Sequence, residues 1–395
     1  MVRELAETFY LKHMDETVAR FIIGRNDVIE ASIYKETINA LPLPLQRIVN
    51  FADEFIAEET DTTFAVNDDG CCLFDMWLSD REIPSNRDQY DLYVRRGHTA
   101  RQWMLNNNAL GFTDCYWITQ NAKDSWNAMK LKLSDVDQYE FVREHAGYSG
   151  VNSTLGGELE KFWYKSNGVL KLCKKVPKPY DVLCAREVFA SKIYESLGVD
   201  HCHYEYVFDK TGDVIGCKCV AFTSEQFELI TAFDLLEAHN RTQQPNVYDL
   251  IIQYASELGA EASSVRDYLD TQMIVDYVIT NRDRHLGNIG FLRDSTTLKI
   301  VKPAPIYDSG SSKHLEGAYP ESVTETTING LFRTDLECLQ RATKQITKFP
   351  PASVWESVLN SCNYVSNVRR EQLLSLYTEK VKYVKANKLK TINVF

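Results

Sequence analysis

One short segment constrains this chain more than any other feature: Asn281-Arg282-Asp283-Arg284-His285-Leu286-Gly287-Asn288, followed later by Asp308-Ser309-Gly310. We expect Asp283 to lie on a loop, where its carboxylate would face an attacking hydroxyl group. Asn288 and Asp308 can each offer an oxygen to a hard divalent cation. Mg²⁺ binds through a few protein oxygens together with substrate phosphates, so one Asn and one Asp are sufficient. The segment therefore predicts phosphoryl transfer from ATP.

The flanking sequence supports this prediction. Residues 265–279 carry apolar side chains at helical spacing and predict a helix that ends at the loop. Residues 289–292 and 298–301 predict two strands, and the second leads into Ile306-Tyr307-Asp308. Helix, loop, hairpin and Asp-x-Gly follow each other in the order of a kinase C-lobe. An isolated Asp-Arg pair is often only a surface ion pair, but the ordered set is hard to obtain by chance.

The motif also resembles that of a known family. Asn-x-Asp-Arg-His-x-x-Asn-x-Gly followed by Tyr-Asp-Ser-Gly is similar to the HipA-like serine/threonine kinases, distant relatives of the phosphatidylinositol kinases. The resemblance implies that Asp283 is the catalytic base and that Asn288 and Asp308 are Mg²⁺ ligands. His285 is expected to pack or form a hydrogen bond within the loop. Arg284 has two alternatives, a contact to the ATP phosphates or a structural ion pair.

A second segment resembles the short glycine-containing phosphate loop of the same family. It is Ser153-Thr154-Leu155-Gly156-Gly157-Glu158-Leu159-Glu160-Lys161, called the glycine loop below. Paired glycines let backbone amides approach phosphate oxygens, so Gly156, Gly157 and Lys161 are predicted to bind the nucleotide. Related loops carry Gln-Pro where this chain has Leu159-Glu160. A carboxylate beside ATP phosphates is unfavourable unless it points away or binds metal.

The resemblance also implies regulation in the glycine loop. HipA-like kinases switch themselves off by phosphorylation there, which makes Ser153 or Thr154 a predicted autophosphorylation site. The alternative is that both hydroxyl groups satisfy backbone groups in a turn.

A strand lysine is required to reach the α- and β-phosphates of ATP. Residues 162–165 and 169–174 predict a hairpin around Ser166-Asn167-Gly168. Lys174 on the second strand is the predicted phosphate ligand, with Lys171 as the alternative.

The next segment supplies a partner for that lysine. Residues 182–193 predict a helix that resembles the family's Asn-Glu-Val-x-Ala-Ser-Lys-Ile helix, with Arg186 in place of the Asn. Glu187 is predicted to pair with Lys174 and hold it against the phosphates. Residues 203–208 and 214–222 predict two further strands that lead into a hinge near 219–224, where adenine would find backbone hydrogen bonds.

The composition and charge bear on the cellular location of the protein and on its binding partners. The ten cysteines contain no Cys-x-x-Cys motif, charged residues begin at Arg3, and no stretch approaches membrane-spanning length. We therefore expect a cytoplasmic protein without a signal peptide. The net charge is −11, with 15 basic and 25 acidic residues in 1–150 against 29 and 30 in 151–395. This acidic balance predicts no direct binding to nucleic acid or to anionic membranes.

Together these patterns predict an α+β, bilobal protein-kinase-like fold with an N-terminal accessory region. The predicted parts are the accessory region at 1–148, a small β-rich N-lobe at 149–230 and a mainly helical C-lobe at 231–395. The accessory region should contain a hairpin of residues 18–23 and 28–33. Its aromatic-rich segments 74–84 and 110–117 resemble the leader of some Gram-positive HipA-like proteins. Three helices are predicted near 334–346, 351–362 and 366–388.

The predicted function is ATP-dependent phosphorylation of a Ser or Thr hydroxyl in a protein substrate. Members of the resembled family act as toxins of toxin–antitoxin pairs, which implies an antitoxin partner. One alternative is a lipid kinase, because phosphatidylinositol kinases share Asp-Arg-His-x-x-Asn, although the acidic charge argues against lipid access. The other is a catalytically weak nucleotide-binding pseudokinase, which the altered glycine loop leaves open.

Overall fold

The computed structural model describes residues 6–25, 27–87, 90–93, 99–136, 150–244, 246–310, 335–342, 344, 346 and 348–390. The predicted boundary at residue 148 and part of the predicted helix near 334–346 lie outside these ranges. In the described part, the chain is a mixed α+β protein with three antiparallel sheets.

The first sheet belongs to the N-terminal region. Its strands, in the order β4-β5-β3-β2-β1-β6, are β1 (Glu7–His13), β2 (Glu16–Ile23), β3 (Val28–Tyr34), β4 (Ile56–Glu59), β5 (Thr63–Val66) and β6 (Tyr116–Thr119). The helices here are α1 (Leu43–Asn50), α2 (Ala52–Phe55), α3 (Asp68–Asp80), α4 (Tyr90–Tyr93), α5 (Ala100–Asn106) and α6 (Trp126–Met129). The predicted hairpin is confirmed as β2 and β3. The buried rings of Phe21 and Phe74 lie 5.9 Å apart and join α3 to the sheet.

The second sheet carries the predicted lysine hairpin. Its strands, in the order β7-β8-β10-β9, are β7 (Lys161–Ser166), β8 (Val169–Lys175), β9 (Glu205–Phe208) and β10 (Val214–Val220), and α7 (Asp181–Leu197) packs against them. Asn167 and Gly168 both have positive φ, 52° and 74°. A tight two-residue hairpin turn requires this conformation, which Asn and Gly tolerate best.

The third sheet combines one strand that precedes the loop 281–288 in the sequence with two strands that follow it. Its strands are β11 (Phe227–Thr231), β12 (Gly290–Asp294) and β13 (Ile300–Pro303). The helices of this part are α8 (Ala232–Glu237), α9 (Val247–Glu257), α10 (Ala262–Ile279), α11 (Asp335–Arg341), α12 (Ala352–Asn360) and α13 (Asn367–Lys390). The predicted helix at 265–279 is α10. Among the residues described, no helix combines the length and the apolar character needed to cross a membrane.

Helix α7 is held from its outer side by the C-terminal helices. The ring of Phe189 stacks on Trp355 of α12 at 4.3 Å and meets Tyr377 of α13 edge-on at 5.1 Å. Most of α7 is buried, including Glu187. The position of Glu187 is therefore set by packing on both sides of the helix.

A buried polar cluster joins the N-terminal sheet to the third sheet. Glu228 of β11 is fully buried and accepts hydrogen bonds from His13 of β1 at 2.8 Å and from Arg293 of β12 at 2.7 Å. The backbone amide of Cys115 donates to the same carboxylate at 2.8 Å. Buried charges persist only when they are paired and hydrogen-bonded, so this cluster specifies how the N-terminal region docks.

Candidate active site

The loop 281–288 begins where α10 ends. Thr280 has a φ of 60°, a left-handed conformation that terminates the helix. The side chain of Asn281 donates to Asp276 at 2.9 Å, and its oxygen accepts from the amide of Asp283 at 3.3 Å. The side-chain nitrogen of Asn288 donates to the carbonyl of Asp283 at 2.8 Å. These bonds fix Asp283 and Asn288 relative to each other.

Arg284 lies inside the protein, below this loop. Its guanidinium group is fully buried, pairs with Asp276 at 2.8 and 3.0 Å, and donates to the carbonyl oxygens of Asn288 and Tyr307 and to Ser309 Oγ. This geometry contradicts the prediction that Arg284 binds the nucleotide and leaves the structural ion pair. The guanidinium donors are directed to protein acceptors, so Arg284 organises the loop and the Asp308-Ser309 segment.

Lys174 and Glu187 form the predicted ion pair. Lys174 Nζ donates to Glu187 at 2.6 Å and to Asp308 at 2.8 Å, and all three side chains are largely buried. Lys171 has a partly exposed side chain and does not line the cavity described below. Residues three apart on a strand lie on opposite faces, so Lys171 and Lys174 cannot both face the cavity. The structure therefore favours Lys174.

Two lysines surround the carboxylate of Asp308. Lys161 Nζ lies 3.7 Å from Asp308 Oδ2, whereas Lys174 Nζ contacts the other oxygen, Oδ1. Burial would raise the pKa of Asp308, but the charges of Lys174 and Lys161 outweigh it and hold that pKa well below its usual range. Burial likewise opposes the charge of Lys174, yet Asp308 and Glu187 raise its pKa well above the usual value. Both groups are therefore charged at neutral pH.

The glycine loop lies next to Asp308 and its two lysines. Gly157 has a φ of 90°, a left-handed conformation that glycine adopts without strain, and Lys161 Nζ lies beside it. Glu160 turns away and pairs with Lys175 at 2.9 Å, and it does not line the cavity. Although Leu159-Glu160 stands where related loops carry Gln-Pro, the Glu160 carboxylate therefore lies away from the predicted phosphate site.

The fold holds both predicted autophosphorylation sites, Ser153 by burial and Thr154 by a hydrogen bond. Ser153 is fully buried. Thr154 Oγ1 donates to the carbonyl of Leu110 at 3.2 Å. Phosphorylation of either hydroxyl therefore requires this part of the glycine loop to leave the position seen here.

A cavity of about 410 Å³ connects these groups. Its size suits a small-molecule ligand. Its polar lining groups, called the polar end below, are those of Gly156, Gly157, Glu158, Lys161, Lys174, Asp283, Asn288 and Asp308. The other end is bordered by Leu172, Leu229 and the predicted hinge residues Cys219, Val220, Ala221, Phe222 and Thr223. The arrangement suits a ligand with an apolar ring system at one end and phosphates at the other.

Two contributors to this region were missed from sequence. Thr113 of the N-terminal region lines the cavity, and its carbonyl accepts from the amide of Leu229 at 2.7 Å. Lys380 of α13 is buried and donates to the carbonyl of Tyr277 at 2.8 Å, at the end of α10. A cation at a helix C-terminus is favourable, so Lys380 stabilises the start of loop 281–288. Thr113 belongs to the aromatic-rich segment 110–117, to which the sequence assigned no role at the site, and no sequence pattern marked Lys380.

Asn288 and Asp308 fit a Mg²⁺ ion. The low pKa of Asp308 favours its ionised carboxylate, and the nitrogen of Asn288 donates to the Asp283 carbonyl, so the Asn288 amide oxygen could serve a cation. Both residues border the polar end of the cavity. Two oxygen ligands match the few protein contacts that Mg²⁺ makes beside phosphates.

These ligands differ in charge, which leads to a prediction. Asp308→Ala should reduce the Mg²⁺-dependent part of ADP affinity by roughly tenfold or more, and Asn288→Ala should reduce it less, because ligand charge tunes cation affinity. Calorimetry with ADP, with and without Mg²⁺, measures the effect. If both variants keep the metal dependence of the wild type, the ligand assignment is wrong.

The chain is similar to known proteins in part of its sequence and in its fold. No protein-family model matches the chain. The serine/threonine-protein kinase CtkA of Helicobacter pylori is 30% identical over 181 residues, which cover 43% of this chain and 53% of that relative. The match thus spans about half the length of this curated relative. The crystal structure of the H. pylori proinflammatory kinase CtkA covers 60% of this chain and 94% of its own, at 20% identity and a TM-score of 0.45.

A second solved structure covers almost the whole chain. It is a chain from the Shewanella oneidensis MR-1 toxin–antitoxin complex of HipA, HipB and operator DNA. It matches 96% of this chain and 97% of its own at 10% identity, with a TM-score of 0.54. This likeness shows that the chain has a HipA-like fold over most of its length. With the CtkA match, it agrees with the resemblance drawn from the motifs: the chain is similar in sequence to CtkA and in fold to HipA.

Proposed function

We propose that this protein is an ATP-dependent serine/threonine protein kinase of the HipA type. The observation that carries the proposal is a single cavity bordered by the Lys174–Glu187 pair, by Asp308 and Asn288, and by Asp283. The proposed architecture is bilobal, with an N-lobe at 149–230, a C-lobe at 231–395 and the accessory region before them. The CtkA and HipA likenesses support the same assignment.

The proposed roles follow from the chemistry of each group. Lys174, held by Glu187, places a fixed positive charge beside the α- and β-phosphates of ATP. Asp283 orients the Ser or Thr hydroxyl and accepts its proton. Asn288 and Asp308 would hold Mg²⁺, which when bound neutralises charge on the phosphates.

The glycine loop would complete the phosphate site. Its backbone amides at Gly156 and Gly157, together with Lys161, would cover the phosphates and exclude water. The direction of Glu160, paired with Lys175, supports activity over the pseudokinase alternative, because it removes the Glu160 carboxylate from the nucleotide.

A transfer assay tests the proposal. The pure protein is incubated with γ-labelled ATP and Mg²⁺, alone and with cell lysate, and labelled proteins are separated and analysed for phosphoserine and phosphothreonine. We expect labelled protein bands that disappear when Mg²⁺ is chelated. Label that enters only the lipid fraction would favour the lipid kinase, and nucleotide binding without any transfer would favour the pseudokinase.

The finer proposal is a toxin-type kinase with an antitoxin partner. Its support is the HipA–HipB toxin–antitoxin complex, whose HipA-like fold this chain shares. Expression of the wild type and of Asp283→Asn in a bacterial host tests it by growth. Growth arrest by the wild type alone supports the toxin role, and equal growth of both strains contradicts it.

We also predict that Ser153 or Thr154 is phosphorylated by the protein itself. A phosphate adds roughly −1.5 to −2 charges, which buried surroundings at Ser153 cannot accept, so the loop would move away from the cavity and nucleotide binding would weaken. Peptide mass spectrometry after incubation with ATP and Mg²⁺ detects the modification. An unmodified loop in an enzyme that labels other proteins would defeat this prediction and leave the kinase proposal intact.

A further inference from the structure

The N-terminal region contacts the glycine loop on both sides of its paired glycines. Asn86 Nδ2 donates to Glu158 Oε1 at 2.5 Å, just after Gly157. Arg87 Nη2 donates to the carbonyl oxygen of Leu155, just before Gly156. Arg87 is only 3% exposed, so its contact is part of the packed interior.

A second segment of the N-terminal region, Leu110–Thr113, joins the same loop to the hinge. Gly111 lies so close to Thr154 that a Cβ would be 2.7 Å from Thr154 Oγ1. Phe112 packs edge-on against Trp163 of β7 at 5.6 Å. Three hydrogen bonds hold the segment: Thr154 Oγ1 to the Leu110 carbonyl at 3.2 Å, Thr223 Oγ1 to the Phe112 carbonyl at 2.6 Å, and the Leu229 amide to the Thr113 carbonyl at 2.7 Å.

The two contacting segments are anchored to each other. Arg81, at the end of α3, pairs with Asp114 at 2.7 Å and donates to the carbonyl of Ala109 at 2.7 Å. Asn86 and Arg87 follow Arg81 closely in the chain, and Leu110–Thr113 lies between Ala109 and Asp114. A displacement of one segment would therefore be transmitted to the other.

The glycine loop needs external support to keep one conformation. A Cβ at Gly156 would meet nothing within 4 Å, and Gly157 has a φ of 90°. Paired glycines have the largest backbone freedom, and ordering them on ligand binding costs affinity. Contacts from outside the loop that hold it in one conformation reduce this cost.

We propose that Asn86 and Arg87 are positioning residues that hold the glycine loop over the polar end of the cavity. The N-terminal region is then a structural part of the nucleotide site. This inference rests on the proposed kinase function, since it assigns the loop to nucleotide phosphates. Neither residue lines the cavity, and both act through the loop backbone and through Glu158.

An exchange of the two interacting groups tests the contact. Asn86→Asp places a second carboxylate against Glu158 in this solvent-exposed contact, and we expect it to weaken Mg·ADP binding by about fivefold. The double variant Asn86→Asp/Glu158→Gln swaps amide and carboxylate, restores the donor–acceptor pair and keeps the wild-type net charge. Because Glu158 lines the cavity, the single variant Glu158→Gln is the reference for the double variant. We expect Asn86→Asp to change affinity by less than about twofold in the Glu158→Gln background, and calorimetry measures all values. Asn106→Asp is the matched control, because Asn106 is exposed, belongs to the N-terminal region and does not line the cavity.

Hydrogen exchange of the glycine loop without nucleotide gives a second readout. We expect faster exchange of peptides covering 155–161 in Asn86→Asp and in Arg87→Met, and wild-type exchange in the swapped double variant and in the control. If Arg87→Met does not fold, the Asn86 series decides alone. If the wild-type protein binds no Mg·ADP, the kinase proposal is overturned. Hydrogen exchange of the glycine loop would still show whether Asn86 holds it. Unchanged exchange and affinity in Asn86→Asp, or an equal effect of Asn86→Asp in the Glu158→Gln background, would overturn the positioning role only.

Discussion

Replacing Asp283 with Asn should lower the rate of phosphoryl transfer by roughly two to four orders of magnitude, the usual effect of losing a general base. The amide has the shape of the carboxylate but cannot accept the proton of the attacking hydroxyl. Nucleotide affinity should stay close to wild type, because the proposed phosphate and Mg²⁺ contacts come from other residues. The fold should also be retained, since the Asp283 bonds to Asn281 and Asn288 involve its backbone amide and carbonyl.

The measurement is transfer of label from ATP to protein substrates, with Mg·ADP affinity determined by calorimetry on the same preparations. Asp61→Asn is a matched control, because Asp61 is exposed in the turn between β4 and β5. Near wild-type transfer by Asp283→Asn would remove Asp283 from the mechanism. A parallel loss of ADP affinity would instead assign it to nucleotide binding.

Replacing Glu228 with Gln should destabilise the protein by about 3–5 kcal/mol, which is the range for breaking a buried ion pair by removing one partner. The carboxylate is fully buried between His13 and Arg293, and Arg293 is itself only 2% exposed. A neutral amide leaves the guanidinium group of Arg293 buried without its counter-charge. Denaturant unfolding measures the change, and a loss below about 1 kcal/mol would contradict the prediction.

The same carboxylate predicts a pH dependence. Burial would raise the pKa of Glu228, but His13 and Arg293 outweigh it and lower the pKa from 4.5 to about 2. A depressed folded-state pKa stabilises the protein above the unfolded value, and this stabilisation is lost as pH falls toward the folded value. The stability difference between wild type and Glu228→Gln should therefore shrink as the pH falls from about 4.5 to about 2.

An exposed pair provides the control for both measurements. Glu30 pairs with Arg20 at 2.9 Å, and the Glu30 side chain is 58% exposed. Surface ion pairs contribute roughly 0–1 kcal/mol, so Glu30→Gln should change the unfolding free energy little. An equal loss in both variants would show that burial is not the cause.

Most of the secondary structure near the site was predictable from the sequence, because its signals are local. Asn167-Gly168 marked the lysine hairpin, and apolar periodicity marked α7 and α10. The groups between 281 and 308 were also predictable as a set, because a helix, a loop and a hairpin place them close together whatever surrounds them. Their catalytic roles stay predictions that the variants above test.

Local signals left other questions open, and the tertiary structure answered them. Periodicity along β8 allowed Lys171 or Lys174, and only the packing of α7 and Asp308 against one face selects Lys174. The ambiguity of Arg284 ended with its burial beside Asp276, which a charge pattern does not encode. The orientation of the Glu160 side chain depends on its ion pair with Lys175, which lies at the end of the neighbouring strand β8.

The N-terminal region shows most clearly what could not be predicted from the sequence. Its hairpin was predictable from sequence, whereas its place against the glycine loop and the hinge was not. That place depends on polar contacts between residues far apart in the chain, such as Glu228 with His13 and Asn86 with Glu158. The sequence alone determined the local elements and the motif of the site, because these depend on neighbouring residues. Only the tertiary structure decided which side chains are buried together, because the pairing of distant polar groups follows from packing.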